Sequence, residues 1–418
     1  MEGINLEERT PKRLSIKQKL MILSRRDRMG RLKPTALRIT AAFLMLLLCT
    51  VIINNTLALG YSTAGETALS KSENEVQLSF VGDICLGRYV EDYAELYGYS
   101  QIFDKADVLW SNSDAVFANL ESAVITDASK VEESDKNIHI SSTEASVKSA
   151  QLSGVTAVSI ANNHSMDYMS TGMEQELAVL NNIDLTYAGG GLNAEEAAEY
   201  KVIEANGLKI GFVAFSDVIP KESAAHVDSA GIATSNNSAI YQNIRLAAEE
   251  TDLVVVYAHW GEENQISRND EQQEIAHRLI ESGADIVIGS HPHVLQSIET
   301  YKDGIIFYSL GNFIFDQGTR DSRSTAMAQV NINKETGDAE FVVTPMRIND
   351  LTPQSTHSSF YVKQIDNALT TSADASSYTV DSDGKIHISL EDVIDPESLD
   401  DRESEKKSYT ITYTFNTN

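Results

Sequence analysis

Cysteine is nearly absent from this chain, with two in 418 residues, Cys49 and Cys85. Two thiols make no disulfide framework. Cys49 lies inside an apolar run and Cys85 follows the first strand-like segment of the body, so the two are not expected to pair. That excludes the small disulfide-stapled secreted scaffolds. Proline is scarce too, at seven residues, and no internal repeat or heptad runs through the chain, which excludes solenoids and coiled coils. Basic charge is the third shortage: 33 Lys and Arg face 61 Asp and Glu, for a formal net charge of −28. The shortage is uneven. Residues 1–38 hold 11 basic and 4 acidic side chains, which leaves 22 basic against 57 acidic in the remainder. Such a body has no basic patch for a phosphate backbone, so nucleic acid is excluded as a partner. An anionic polymer would also be repelled overall, and only metal ions and local donors such as Arg88 could hold it.

Long hydrophobic runs are missing except for one, ITAAFLMLLLCTVIINNTLALG at 39–60. A spanning helix needs ~20 apolar residues, and the basic residues before the run set that side in the cytoplasm. The expectation is a basic cytoplasmic arm (1–38), a single-pass membrane anchor (39–60), a polar linker (61–75) and an extracellular body. A cleavable signal segment ending near Ala58-x-Gly60 is the alternative.

The body alternates strand-like and helix-like segments. Helical patterns at 174–183, 239–250 and 270–283 separate short β-branched runs, which predicts an α/β fold with a sheet covered on both faces. Residues 304–317 read as a strand and turn. Residues 326–348 read as a hairpin turning at TGD.

Several apolar runs end in the same kind of residue. The segments VTAVSIANNHSMD (155–167), DLVVVYAHWGEEN (252–264) and ADIVIGSHPHVLQ (284–296) deliver His164, His259 and the pair His291 and His293. VQLSFVGDICLGR (76–88) delivers Asp83, and DAVFANLESAV (114–124) delivers Asn119 and Glu121. The C-terminal edge of a parallel sheet is where ligands bind in open α/β folds. Carboxylates mixed with imidazoles suit Mn, Fe or Zn. Two such ions bridged by a carboxylate can activate water against a phosphoester.

GDICLGR, NLE, ANNHSMDY, HWGEE, GSHPHV and SLGNFIFD, in that order over residues 76–320, resemble the capsule synthesis protein CapA family, whose domain is similar to calcineurin-like metallophosphoesterases. The resemblance implies a four-layer αββα sandwich over 76–350. The residues themselves place the one transmembrane helix before it and, after it, an acidic tail (351–418) with strand-like alternation at 408–417, which reads as a small β appendage or a mobile segment. The resemblance also implies metal ligands Asp83, Glu121, Asn163, His259, His291 and His293, for one or two divalent ions (Mn, Fe or Zn), and His164 as the catalytic acid. Arg88, Asn119, Glu263 and Asn312 are the candidate substrate contacts. Cys85 departs from the pattern, because histidine stands two residues after the first aspartate in phosphoesterases of this class. The implied role is capsule or poly-γ-glutamate synthesis or export, beside a membrane-embedded polymer synthesis complex, on an anionic polymer or envelope substrate. The alternatives are an exported metal-dependent phosphoesterase or amide hydrolase, and a non-catalytic polymer-binding module.

Overall fold

The computed structural model describes residues 43–45, 68–371 and 378–399. The expected arm, nearly all of the 39–60 segment and the strand at 408–417 lie outside the described residues. Among the described residues no helix is long and apolar enough to cross a membrane. The chain divides into two units, Met1–Ser62 and Thr63–Asn418, and the second carries everything below.

Two sheets form its frame. In chain order the strands are β1 (Glu75–Ile84), β2 (Ala115–Leu120), β3 (Ala157–Ser159), β4 (Thr186–Ala188), β5 (Lys201–Ala205), β6 (Leu208–Ser216), β7 (Leu253–His259), β8 (Ile286–Ser290), β9 (Ile298–Tyr301), β10 (Gly304–Phe307), β11 (Asn312–Ile314), β12 (Ser324–Asn333), β13 (Ala339–Asn349), β14 (Thr352–Ser355), β15 (Tyr378–Val380) and β16 (Ile386–Leu390). The longer helices are α1 (Arg88–Tyr97), α2 (Glu144–Leu152), α3 (Met169–Asn182), α4 (Ser238–Glu250), α5 (Asp270–Glu281) and α6 (Ser359–Thr370). A ten-stranded sheet runs β15-β16-β13-β12-β1-β2-β3-β4, with β11 beside β1 and β14 beside β13. A six-stranded sheet runs β9-β10-β8-β7-β6-β5. In each sheet the central neighbours are parallel: β1, β2, β3 and β4 in the first, β6, β7, β8 and β10 in the second.

The sheets pack face to face, and strand periodicity shows why. Successive side chains of a strand point to opposite faces. In β7, Leu253, Val255 and Tyr257 enter the core shared by the sheets, while Val254, Val256 and Ala258 lie under α4 and α5. In β2, Ala115 and Phe117 face the shared core, while Val116 and Ala118 face the outer helical layer with α1 and α3. A strand covered on both faces therefore reads as an unbroken apolar run. The Phe117 and Phe212 rings meet edge to face at 5.4 Å across the inter-sheet core; full burial of such a side chain contributes ~1.5–3 kcal/mol. The Tyr257 hydroxyl lies within hydrogen-bond reach of the carbonyls of Val81 (3.0 Å) and Phe117 (2.8 Å), so its one polar atom in that core is satisfied.

Two features differ from the sequence reading. The 304–317 segment is two strands in two sheets. β10 pairs in the six-stranded sheet, and the chain then crosses at 308–311 to set β11 against β1. Gly311 turns with φ +67°, and its carbonyl accepts the Asp83 N–H at 3.0 Å. That contact needs glycine on the facing strand as well, because a Cβ on Gly82 would lie 1.8 Å from the Gly311 oxygen. The fold also continues past residue 350. β14 and β16 pair with β13, and α6 adds Ile365 and Leu369 to the shared core. This apolar content is spread over short segments within an acidic stretch, which hides it from pattern reading.

Candidate metal centre

Strand parity and direction place the functional side chains. Asn119 in β2 and His259 in β7 have the parity of the residues that face the shared core, and both sit at the C-terminal ends of parallel strands. Asp83 ends the regular part of β1, in register with Asn119 on one side and Asn312 on the other. Glu121 follows β2, Asn163 and His164 follow β3, and His291 and His293 follow β8. His291 and His293 take left-handed backbone conformations (φ 95° and 58°), which is uncommon for a side-chain-bearing residue and clusters at functional sites. His293 turns its ring to Asp83 of β1, and His291 turns its ring to His259 of β7.

Donor atoms of Asp83, Glu121 and His259 all lie within 4.8 Å of one another, and all three residues are buried. His293 joins them, with Nδ1 3.3 Å from Asp83 Oδ2 and Nε2 3.6 Å from Glu121 Oε1. Its Nδ1 also stands 2.8 Å from Asn312 Oδ1, which fixes the ring. The His291 ring lies 4.7 Å from that of His259, and its backbone N–H donates to Asp83 Oδ2 at 3.3 Å. Asn163 Oδ1 is 3.0 Å from His259 Nε2, and Ser290 Oγ is 3.0 Å from His259 Nδ1. Both Glu121 oxygens and His291 Nδ1 are buried without a hydrogen-bond partner. Buried polar atoms are almost always hydrogen-bonded, and Glu121 has only the His293 ring, at 3.6 Å, to offset the cost of its burial. A cation is the group that fits this donor set.

The electrostatics are uneven. Burial pushes the Glu121 carboxyl well above its usual range, and the nearby Asp83 carboxylate adds to this against the opposing pull of His293. Burial lowers His259 strongly and brings His291 down to about 4, with neighbouring imidazoles adding to both. His293 also suffers from burial, but Glu121 and Asp83 overcome it and hold the ring at about 9.

His164 stands beside this cluster. Its Nδ1 is 2.8 Å from Asp167 Oδ2. Asp167 is fully buried, takes the Ile140 N–H at 2.6 Å and pairs with Lys136. Lys136 also donates to the Asn163 carbonyl at 2.6 Å. The His-x-x-Asp spacing in HSMD marks Asp167 in the sequence. Nothing marks Lys136, which arrives from an aperiodic loop.

The four candidate substrate contacts separate. Asn119 and Asn312 are fully buried, and their amides are committed within the protein. Asn119 donates to Asp83 Oδ1 at 2.9 Å, and Asn312 faces His293 and donates to Gln317. Both therefore orient metal-type ligands. Arg88 is on the rim, paired with Asp316, its guanidinium 5.8 Å over the Phe315 ring. Glu263 is exposed, close enough for its charge to bear on Glu121. Cys85 is buried with Ile140 and Phe315, and burial drives its thiol pKa upward, so it offers no thiolate.

The model of the family described as bacterial capsule synthesis protein PGA_cap matches residues 77–317. The capsule biosynthesis protein CapA of Bacillus anthracis is 34% identical over 324 residues, covering 76% of this chain and 79% of that one. The PGA biosynthesis protein CapA of Bacillus subtilis (strain 168) is 35% identical over 347 residues, covering 82% and 88%. Among solved structures, a phosphatase from Mycoplasma pneumoniae overlays at 14% identity and a TM-score of 0.36, covering 70% of this chain and 97% of that one. That overlay is too loose to bear on chemistry.

Proposed function

The chain belongs to the bacterial capsule synthesis family PGA_cap, and from that premise we propose that it serves capsule or poly-γ-glutamate synthesis or export through a divalent-metal centre. Asp83, Glu121, Asn163, His259, His291 and His293 are the residues to hold one or two ions of Mn, Fe or Zn, in an αββα frame of the metallophosphoesterase type. The observation that carries the reading is the buried Glu121 carboxylate with no hydrogen-bond partner, facing Asp83 and His293. A divalent ion bound there supplies Lewis acidity toward water and toward a phosphoryl or acyl oxygen.

The His164–Asp167 pair favours a compatible second reading, hydrolysis of a phosphoester or amide in an envelope polymer. Asp167 accepts the His164 Nδ1–H, which leaves Nε2 as the atom that carries a proton to a leaving group. Lys136 and the Ile140 N–H fix Asp167 in turn. In this reading the 39–60 segment anchors the body outside the cell membrane, with the N-terminus cytoplasmic, beside a membrane-embedded polymer synthesis complex.

Elemental analysis of the purified full-length protein tests the centre. The expected result is about one to two equivalents of Mn, Fe or Zn, lost in an Asp83→Ala, His291→Ala double variant. No metal in either protein after reconstitution would shift the reading to a non-catalytic polymer-binding module. Unchanged surface polymer after gene deletion would remove the capsule role itself.

A further inference from the structure

Beside the metal centre runs a groove of about 450 Å³ that the proposed chemistry does not use. One wall is the face of α1 that carries Tyr89, Tyr93 and Tyr97, spaced four residues apart and so aligned along the helix. Tyr89 is 59% and Tyr97 61% exposed, and the Tyr93 and Tyr97 rings sit 4.7 Å apart. Phe315 belongs to the groove and to the centre at once, since its ring is 4.9 Å from that of His293. Asp316, Arg323 and Asp350 supply the polar lining, with Arg88 at the head of the groove paired to Asp316. Among the described residues the Arg323 guanidinium and the three phenol hydroxyls have no hydrogen-bond or ion-pair partner, while the Tyr93 ring packs on Tyr97 and against the outer core.

The backbone around the groove is strained. Arg88, Asp350 and Leu351 take φ values of 55°, 48° and 72°. Left-handed geometry in a leucine is unfavourable and persists only where the surroundings impose it, which is frequent at active sites and ligand clamps. Left-handed residues along the groove, with Tyr89 and Tyr97 exposed beside the half-buried Tyr93 and the buried Phe315, describe a built surface.

Its chemistry selects the ligand class. The two arginines and two aspartates cancel, so neither an anion nor a cation is favoured. Asp316, Gln317, Arg323 and Asp350 line it beside the rings, which is wrong for a lipid tail. What remains is a row of aromatic faces flanked by fixed donors and acceptors. That combination fits a sugar ring, whose C–H face lies on a phenol ring while its hydroxyls pair with carboxylate and guanidinium. The volume falls within the ~300–1,000 Å³ of ordinary ligand pockets. We propose that this groove binds a neutral glycan segment alongside the metal centre, so that the protein holds an envelope glycan while its metal site faces the polymer. The site is independent of metal occupancy and stands or falls separately from the metal-centre reading.

The test is isothermal titration of the full-length protein with the tetrasaccharide of N-acetylglucosamine, and in parallel with a γ-linked glutamate oligomer. Wild type should bind the tetrasaccharide. Tyr89→Ala with Tyr97→Ala should weaken that binding about tenfold or more, and Arg323→Ala should weaken it too. Both phenols are largely exposed, so thermal melting and metal content of the double variant should match wild type. Absence of tetrasaccharide binding, binding that survives the tyrosine changes, or tyrosine-dependent binding of the glutamate oligomer alone would each overturn the proposal. Metal-free protein that still binds the tetrasaccharide would leave the groove standing and count only against the metal centre.

Discussion

His291 and His293 are two residues apart and differ in charge, one neutral and one cationic. Burial leaves His291 neutral with a pKa of about 4, while Glu121 and Asp83 hold His293 at about 9. Without metal, the carboxylate cluster thus keeps a proton on His293 at neutral pH. Metal ligands must be deprotonated, so uptake has to expel it. Titration with Mn²⁺ at pH 7.5 should release at least one proton, from His293 and, as far as burial keeps it protonated, from Glu121, and apparent affinity should rise at least about tenfold per pH unit until about pH 9. Calorimetry in buffers of different ionisation enthalpy reads the proton count, and a count of zero would contradict this arrangement. Asp285 offers a second test, away from the centre. Burial raises its carboxyl to about 7, against a backbone hydrogen bond from Val254 N at 2.7 Å. A folded-state pKa above the unfolded value gives stability that is fully present below about pH 4 and lost as pH rises through about 7. Asp285→Asn keeps the acceptor for Val254 and removes the ionisation. It should match wild type at pH 4 and exceed it by about 1–3 kcal/mol at pH 8, read from denaturant unfolding at both pH values.

At the scale of the element, strand contacts without side chains set the centre's dimensions. A Cβ on Gly289 in β8 would lie 2.0 Å from the Tyr308 carbonyl oxygen and 2.6 Å from Trp260 Nε1. Backbone cannot yield as a flexible side chain does, so Gly289→Ala must push β8 away from the crossing segment that leads to β11. The expected cost is about 2–4 kcal/mol, with weakened metal binding because His291 and His293 hang from the end of β8. Thermal melting and metal content check both, and a variant that melts and binds like wild type would show that the close approach is dispensable. The same physics explains what the sequence could disclose. Apolar runs ending in His259, His291 and Glu121 are legible because period-two burial and strand-end placement are local properties. The crossing between sheets at 308–311 is not, since GIIFYSLGNFIF is mostly apolar on both sides of the break and the break depends on Gly311 meeting Gly82 more than 200 residues away in the chain. Asn312 and Asn119 stood out as polar residues beside the site. Only the register with Asp83 shows that they orient ligands. Lys136 was illegible, because a lysine in an aperiodic loop has no signal until folding brings it to Asp167.

The second unit as a whole is held by a core shared between the two sheets, and that core extends beyond residue 350. Ile365 and Leu369 of α6, Ile386 and Ile388 of β16, and Ile394 are all buried in it. At ~1.5–3 kcal/mol for each buried side chain, their burial is worth roughly 7–15 kcal/mol, as large as the entire net stability of an ordinary domain, ~5–15 kcal/mol. Their loss would also bare β13, which pairs with β14 and β16, and an uncovered apolar strand edge is a template for aggregation. The composition of the region conceals this because the isoleucines stand singly among polar residues, Ile365 between Gln364 and Asp366 and Ile388 between His387 and Ser389. A chain ended after Asp350, although it retains every metal-type ligand, should therefore be recovered aggregated and without metal. Size-exclusion chromatography and thermal melting by circular dichroism decide the matter. A monomeric, cooperatively melting product that binds metal would show that the 76–350 segment is sufficient alone and that α6 and β16 are an appendage to its core.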